Sequence, residues 1–215
     1  MEISKVLIAT IIVATLRSQT LSAPLSSTPS TLQVLVTYVI PEKTTNATQE
    51  MKSLYQFIVS TSYLEEPPFS QFPPQVNTQS CTSNKNSKDN LTIAYEKMDI
   101  FRSPLYMALF YEETQGSLHN SLAQVLWDIS TYVNASSVML SREMQSNGFP
   151  VPTAVTGNTS APMNQTIRVY LQALVNNNLL QGPLTDDMVT IYRNYVVLYS
   201  LSDVIKEVST CAYNL

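Results

Sequence analysis

The longest one-sided stretch of the chain runs from Leu118 to Ser146. Its apolar residues recur at steps of three or four, or of seven where a polar residue intervenes, which is the period of one helix face. They are Leu118, Leu122, Val125, Ile129, Val133, Leu140 and Met144, with Ser136 the only small polar residue in the stripe. No Gly or Pro interrupts this pattern over about eight turns, or about 43 Å. A helix this long with one apolar face needs partners of similar length, so the pattern predicts a helix bundle.

Three further stretches carry the helical period and complete a set of four helices. In chain order, we predict helix A from about Thr45 to Glu65, B from about Asn90 to Glu113, C over the stretch above, and D from about Thr185 to Val208. Thr185 is the expected N-cap of helix D. Pro104 falls inside helix B, where it either kinks the helix or starts a shorter one, and we expect the kink. The expected inward-facing residues include Met51 and Leu54 of A, Phe101 and Phe110 of B, and Tyr195 of D.

The lengths of the connections predict how the helices are arranged. Roughly 24 residues separate A from B, enough to span about 80 Å when extended and so to return along the whole bundle. The link from B to C is only a few residues, which makes those helices antiparallel neighbours, and the link from C to D is long and holds a short helix from about Thr166 to Val175. A long, a short and a long connection in this order are typical of the up-up-down-down arrangement of growth-hormone and cytokine bundles. The predicted fold class is therefore all-α, a four-helix bundle with two long crossover loops.

The N-terminal residues differ in character from the predicted bundle. Lys5 precedes an apolar run that ends at Leu16, and small or polar residues follow, as in a secretory signal peptide cleaved between Thr20 and Pro24. No later run is long enough for a membrane span, so we expect a secreted protein without membrane insertion. Leu32–Ile40 is β-branched and ends at a proline, which favours an extended arm. The predicted organisation is a signal peptide over 1–23, a flexible arm over 24–43 and the helical domain over 44–215.

Two further features agree with passage through the secretory pathway. The chain contains two cysteines, Cys81 and Cys211, which in an oxidising compartment most simply form one disulfide closing a loop of about 130 residues. Five N-x-[ST] sequons are candidate glycosylation sites. They are Asn46, Asn90, Asn134, Asn158 and Asn164, of which chance in an Asn-, Ser- and Thr-rich sequence accounts for one or two.

The composition argues against several classes of function. Without residues 1–23, which hold one acidic and two basic side chains, the formal net charge changes from −4 to −5, and no basic patch suggests a nucleic-acid partner. His119 is the only histidine, so nucleophilic catalysis would have only this one base, and the chain lacks the CxxC and H-x-x-x-H motifs of transition-metal sites. Carboxylate pairs such as Glu112-Glu113 are expected at solvated helix ends. We therefore expect neither an enzyme nor a cofactor.

A few apolar residues are predicted to lie on outward faces of the bundle. Trp127, the only tryptophan, lies about 180° from the apolar stripe of helix C by the helical wheel. It is either a binding anchor or is covered by the first crossover loop or the arm. On helix D, Arg193, Val197 and Val204 line up opposite the predicted seam. They form either a partner face or a loop-covered surface.

Two short segments resemble the interleukin-6 family of helical cytokines, in its cardiotrophin-like, ciliary neurotrophic factor and leukaemia inhibitory factor branch. SYLEEPPFSQFPP, directly after helix A, resembles the Pro-Phe turn that ends helix A in that branch, and SNGFPVP at Ser146–Pro152 resembles its exit from helix C. Pairing of Cys81 with Cys211 also resembles the crossover-to-helix-D disulfide of family members. The resemblance covers about Thr44 to Cys211 in element order and loop lengths.

The resemblance implies a secreted cytokine that assembles receptor chains, including the shared signal transducer glycoprotein 130. In the family, the outer faces of helices A and C contact that receptor. The matching candidates here are Gln49, Lys52, Gln56 and Tyr63 of A with Trp127 of C. The F-x-x-K motif that the branch carries near the start of helix D for a second receptor is missing, because the last phenylalanine is Phe149.

The same helical pattern also allows a function of another class. A secreted helical carrier would hold a lipid or other apolar ligand between its helices, and the many Tyr and Met residues on inward faces permit such a cavity. Core packing explains those residues more simply. Receptor binding is therefore the expected function, and a co-purifying small molecule would favour the carrier.

Overall fold

The computed structural model describes residues 30–55, 79–81, 86–114, 120–153, 160–180 and 182–213. Within these ranges the chain forms helices joined by turns and short connections, and no strand is present. This confirms the all-α class. Helix C and most of its stripe are confirmed in α4, which is introduced below, whereas Leu118 lies outside the described residues.

The first helix, α1, is a continuous rod made of Thr31–Val34, a π-helical segment Leu35–Val39, and Ile40–Leu54. Ser30 caps its start in a capping box with Gln33. The π segment ends two residues before Pro41, which has no N–H to donate to the carbonyl four residues back, so a wider turn accommodates the ring.

The expectation of an extended arm over Leu32–Ile40 is therefore wrong. Val36 and Ile40 are fully buried, and this packing overrides the β-propensity of the segment. The helix also crosses the predicted domain boundary at residue 43 without interruption. Its described part extends to Leu54, and the rest of predicted helix A, residues 56–65, lies outside the described residues.

Predicted helix B consists of two helices, α2 over Ser87–Asp99 and α3 over Arg102–Thr114. Asn86 caps α2 by accepting a hydrogen bond from the backbone N–H of Asp89 at 2.9 Å. The chain breaks at residues 100–101 instead of bending smoothly, and Pro104 lies in the first turn of α3, where its missing N–H leaves no interior hydrogen bond unmade. The expected kinked helix is thus replaced by the alternative, a shorter helix that starts just before the proline.

Three helices follow: α4 over Asn120–Ser146, α5 over Ser160–Asn176 and α6 over Asp186–Tyr213. Gly148, with φ at +70°, ends α4, and the N–H of Phe149 reaches back to the carbonyl of Met144 at 2.8 Å. Helix α5 is longer than the predicted short helix. The cap of α6 is confirmed, because the hydroxyl of Thr185 accepts from the N–H of Met188 at 3.2 Å.

The packing order is set by which helices contact each other. Helix α4 packs against α1, α2 and α3, whereas α6 packs against these three and also against α5. Side-chain contacts join α1 to α4, α1 to α6, and α2–α3 to α6 in opposite chain order, so each of these pairs is antiparallel. The contacts are Lys43–Asp128 and Glu50–Ser121, then Gln33–Ala212 and Thr37–Ser209, then Lys97–Glu207 and Tyr111–Asp187.

The predicted disulfide is present. Cys81, which precedes α2, is bonded to Cys211 in the last turn of α6, with their Cα atoms 5.0 Å apart. The prediction of an inward-facing side chain is wrong at two positions, because Leu54 is 37% exposed and Phe110 is 53% exposed. On the helical wheel Phe110 lies 100° beyond Leu109, at the edge of the buried face of α3.

Candidate functional site

Helices α3 and α4 carry three exposed aromatic side chains. Tyr106 is 61% exposed, Phe110 53% and Trp127 37%. Tyr106 and Trp127 line an open groove of about 780 Å³, which we call the α3–α4 groove. The other lining residues are Asp99, Arg102, Ser103, Leu109, Glu113, Ser130, Thr131 and Asn134.

The spacing of the lining residues explains how the two helices form the groove. On α4 the lining positions are 127, 130, 131 and 134, and on α3 they run from 102 to 113 at steps of one, three or four. Each set is one outward helix face over two to three turns. Helix α3 restarts after the break at residues 100–101. The direction of its groove-lining face therefore depends on that break and does not continue the helical phase of α2.

An ion pair closes one end of the groove. Arg102 NH1 lies 3.0 Å from Asp99 Oδ1, across the break between α2 and α3. Asp99 is buried, whereas the side chain of Arg102 remains 46% exposed. The groove therefore combines an aromatic wall with a partly exposed guanidinium group, which suits a ligand with both apolar and polar surface.

The structure does not bring Trp127 together with the candidate residues of α1. The residue after it, Asp128, turns toward α1 and accepts a hydrogen bond from Lys43 Nζ at 2.7 Å, which raises the pKa of Lys43. Trp127 itself lines the groove with α3. Lys52 lies over the ring of Tyr195 on α6, 5.9 Å from its centroid, and Gln49 is exposed on α1. Gln56 and Tyr63 lie outside the described residues.

The outward-face interpretation of α6 is wrong. Arg193 is 5% exposed, Val197 0% and Val204 3%. The reason is that this side of α6 faces α2 and α3, to which the Lys97–Glu207 ion pair and the Tyr111–Asp187 hydrogen bond attach it. The apolar pattern of predicted helix D therefore identified one buried face of α6, which is in fact buried over most of its circumference.

Arg193 is a charged residue inside the bundle. Its Nε and NH2 atoms donate to Asn194 Oδ1 at 3.1 and 2.7 Å, and burial lowers the pKa of its guanidinium. Nearby, burial raises the pKa of Tyr111 to about 12. Arg193 and Asn194 lie among packed helices rather than on a surface that a partner could reach.

A second buried polar pair joins the end of α1 to α3. Tyr55 donates its hydroxyl proton to Glu112 Oε2 at 2.8 Å, and Glu112 is fully buried. The expectation of a solvated Glu112-Glu113 pair thus holds only for Glu113, which is exposed. No signal in the sequence distinguishes the two carboxylates, because their difference depends on the phase of α3.

The five sequons have different environments. Asn46 on α1 and Asn134 on α4 are exposed, and Asn164 on α5 is half-buried. Asn90 is fully buried within α2, so this conformation leaves no room for a glycan there, and the prediction for Asn90 is wrong. Asn158 lies outside the described residues.

Comparisons with known proteins add no family assignment. No protein-family model, curated protein or solved structure matches this chain. Among the described helices, none is both long and apolar enough to cross a membrane. The described residues also contain no group of three or more His, Cys, Asp or Glu side chains placed to hold a metal ion, and His119 lies outside them.

Proposed function

We propose that this chain is a secreted, non-enzymatic signalling protein of the helical-cytokine type, which binds receptor ectodomains and assembles them on the cell surface. The all-helical architecture and the single disulfide support this proposal. The antiparallel contacts of α1 with α4 and α6, and of α2–α3 with α6, support the up-up-down-down order of cytokine bundles.

The observation that carries the proposal is the α3–α4 groove. Tyr106 and Trp127 line this groove and remain exposed, and tyrosine and tryptophan are among the residue types that dominate protein–protein binding energy. Clusters of exposed apolar groups on a well-packed protein mark interaction sites. The groove is therefore the proposed receptor contact, in which α3 takes the place of helix A beside the helix C face expected from the sequence.

The proposed partner is an ectodomain of the glycoprotein 130 type, because the two segments after helices A and C resemble that branch of cytokines. A second receptor chain is also expected from the resemblance. The segment at the start of α6 reads GPLTDDM and lacks the F-x-x-K motif, so any second chain must be recognised through other residues.

The test is binding of the secreted protein to immobilised glycoprotein 130 ectodomain from the same species, alone and with candidate co-receptors. We expect saturable binding at micromolar concentration or below, which corresponds to a free energy of about −8 kcal/mol or better. Circular dichroism must first show that the sample is helical. If a folded, helical sample bound none of the cytokine-receptor ectodomains, the proposal would be refuted.

One observation favours a second candidate function. The volume of the α3–α4 groove, about 780 Å³, lies within the range of small-molecule sites. A carrier of a lipid or other apolar ligand would use that volume. Native mass spectrometry of the secreted protein distinguishes the two functions, because a carrier retains a bound molecule of defined mass and a receptor ligand does not.

A further inference from the structure

We infer that Asn134 carries an N-linked glycan whose first sugars lie in the α3–α4 groove against Trp127, so that glycosylation at Asn134 limits access of a receptor to this groove. The inference rests on the proposed secretion and receptor binding. It adds a modification with a defined position and a regulatory consequence for the same surface.

The first step is the position of the sequon. Asn134, Ala135 and Ser136 form an N-x-S sequence, and the exposed Asn134 lines the groove. Trp127 lies seven residues earlier on the same helix face, about 10.5 Å along the axis. A sugar attached at Asn134 therefore starts inside the groove. The other described sequons line different surfaces, since neither Asn46 nor Asn164 is a groove residue.

The second step is the chemistry of the groove. N-acetylglucosamine, the first sugar of an N-linked glycan, presents a C–H face on one side of its ring and hydroxyl and acetamide groups around the rim. The rings of Trp127 and Tyr106 offer flat apolar surface to the C–H face of the sugar. Polar groups for the hydroxyl and acetamide groups of the sugar come from Ser130 and Thr131 on α4 and from the half-exposed Arg102 on α3. A volume of about 780 Å³ leaves space for such a ligand.

The hydroxyl of the sequon belongs to Ser136. Ser136 is fully buried in the apolar stripe of α4, and its Oγ atom has no hydrogen-bond partner. A buried hydroxyl without a partner does not stabilise the folded state. Glycosylation acts on the chain during secretion, so burial of Ser136 in the folded state does not prevent its use in the sequon. Ser137, which is also buried with an unpartnered Oγ atom and lies outside the sequon, provides a matched control.

The experiment compares full-length proteins secreted from mammalian cells. Ser136→Ala removes the sequon without altering a groove residue, Ser137→Ala makes the same chemical change outside the sequon, and Thr48→Ala removes the sequon at Asn46. Asn134→Gln is a second way to remove the modification if Ser136→Ala does not fold. Intact-mass analysis measures the glycans lost. Absence of a glycan at Asn134 in the wild-type protein would overturn the inference.

Trp127 reports directly on the groove because it is the only tryptophan. We expect acrylamide to quench its fluorescence about two-fold more strongly in Ser136→Ala and Asn134→Gln than in the wild type. Ser137→Ala and Thr48→Ala should match the wild type. Equal quenching in all five glycoproteins would show that the glycan does not cover Trp127.

Receptor binding gives the second readout. Ser136→Ala should bind the glycoprotein 130 ectodomain at least ten-fold more tightly than the glycosylated wild type, whereas Thr48→Ala should not change the affinity. If quenching changes and neither form binds any receptor, the proposed receptor function fails while the glycan position stands. If both forms bind equally, the regulatory role of the glycan is refuted.

Discussion

The two longest helices, α4 and α6, have 27 and 28 residues and differ most in how their surfaces are covered. Helix α4 is packed on one side, against α1, α2 and α3, and leaves Trp127 and Val138 partly exposed at 37% and 39%. Helix α6 has α5 as an additional neighbour, and Arg193, Val197 and Val204 are all buried. Of two helices with similar sequence patterns, α4 is buried on one face and exposed on the other, whereas α6 is buried over most of its circumference.

The difference shows what decides whether an outward apolar residue is available to a partner. A helical wheel identifies residues on the same side of one helix, but it does not show which other elements cover that side. Helix α5 lies in the connection between α4 and α6, and the rings of Tyr170 and Tyr192 stack there with centroids 6.0 Å apart. Among the described residues, α5 therefore covers part of α6, whereas Trp127 on α4 stays 37% exposed.

The largest expected effect comes from releasing the end of α6. Replacing both Cys81 and Cys211 by Ser should lower the free energy of unfolding by about 5 kcal/mol, the loop-entropy value for a closed loop of this length. Denaturant unfolding followed by circular dichroism measures the loss. Reduction and alkylation of the wild-type protein should reproduce it. A loss below about 1 kcal/mol would show that packing alone holds the end of α6.

The next effect compares one valine from each helix. Val197→Asp places a carboxylate where the side chain is fully buried and should cost about 4 kcal/mol or more of unfolding free energy. Val138→Asp makes the same change where the side chain is 39% exposed and should cost about 0.5 kcal/mol or less. Thermal and denaturant unfolding of both variants provide the measurement. Similar losses for the two would contradict the assigned difference in burial.

Features governed by local rules were predictable from the sequence. The apolar period of α4 placed Leu122, Ile129 and Met144 in the core, and Thr185 was recognised as a cap because its hydroxyl acts on a neighbouring turn. Features that depend on distant packing were not predictable. The helical start of α1 results from burial of Val36 and Ile40, and the cover over α6 results from neighbours far away in sequence.

The candidate site was predictable only in part. The uniqueness of Trp127 and its position opposite the stripe of α4 identified it as a candidate anchor, and the structure leaves it 37% exposed. Its partner surface was assigned to α1, whereas the structure provides Tyr106 on α3. The direction in which α3 presents Tyr106 depends on the break at residues 100–101, whose exact position follows from how Phe101 and Leu105 enter the core. Sequence periodicity cannot supply that position because α2 and α3 are both short.

A smaller effect is expected from truncating the anchor of the open surface. Trp127→Ala should weaken binding to the receptor ectodomain by about 2 kcal/mol or more, or about 30-fold, because truncated aromatic anchors lose their contact with the partner. The fold should stay intact by circular dichroism. Val169→Ala, on α5, removes another exposed apolar side chain, 61% exposed, and should leave affinity unchanged. Equal losses of thermal stability and affinity would show that Trp127 serves only packing.

The smallest effect concerns a tyrosine on the buried helix, Tyr192 of α6, which is fully buried. Burial first, and then the neighbouring Tyr170 and Tyr195, raise the pKa of its phenol above the ordinary value of 10. Below that value both folded and unfolded chains keep the proton, so this residue adds no pH dependence. Above it the unfolded chain loses the proton while the folded chain keeps it, so stability falls by about 1.4 kcal/mol per pH unit for this one group.

Tyr192→Phe removes this contribution and should flatten the decline above pH 10 by that amount. Urea unfolding at several alkaline pH values measures the slope in each protein. The remaining tyrosines are common to both proteins, so the difference between the two slopes isolates Tyr192. Identical slopes would mean that the folded protein allows Tyr192 to ionise as freely as the unfolded chain does. Such a result would require α6 to open along this side, and it would remove the contrast in burial between α6 and α4.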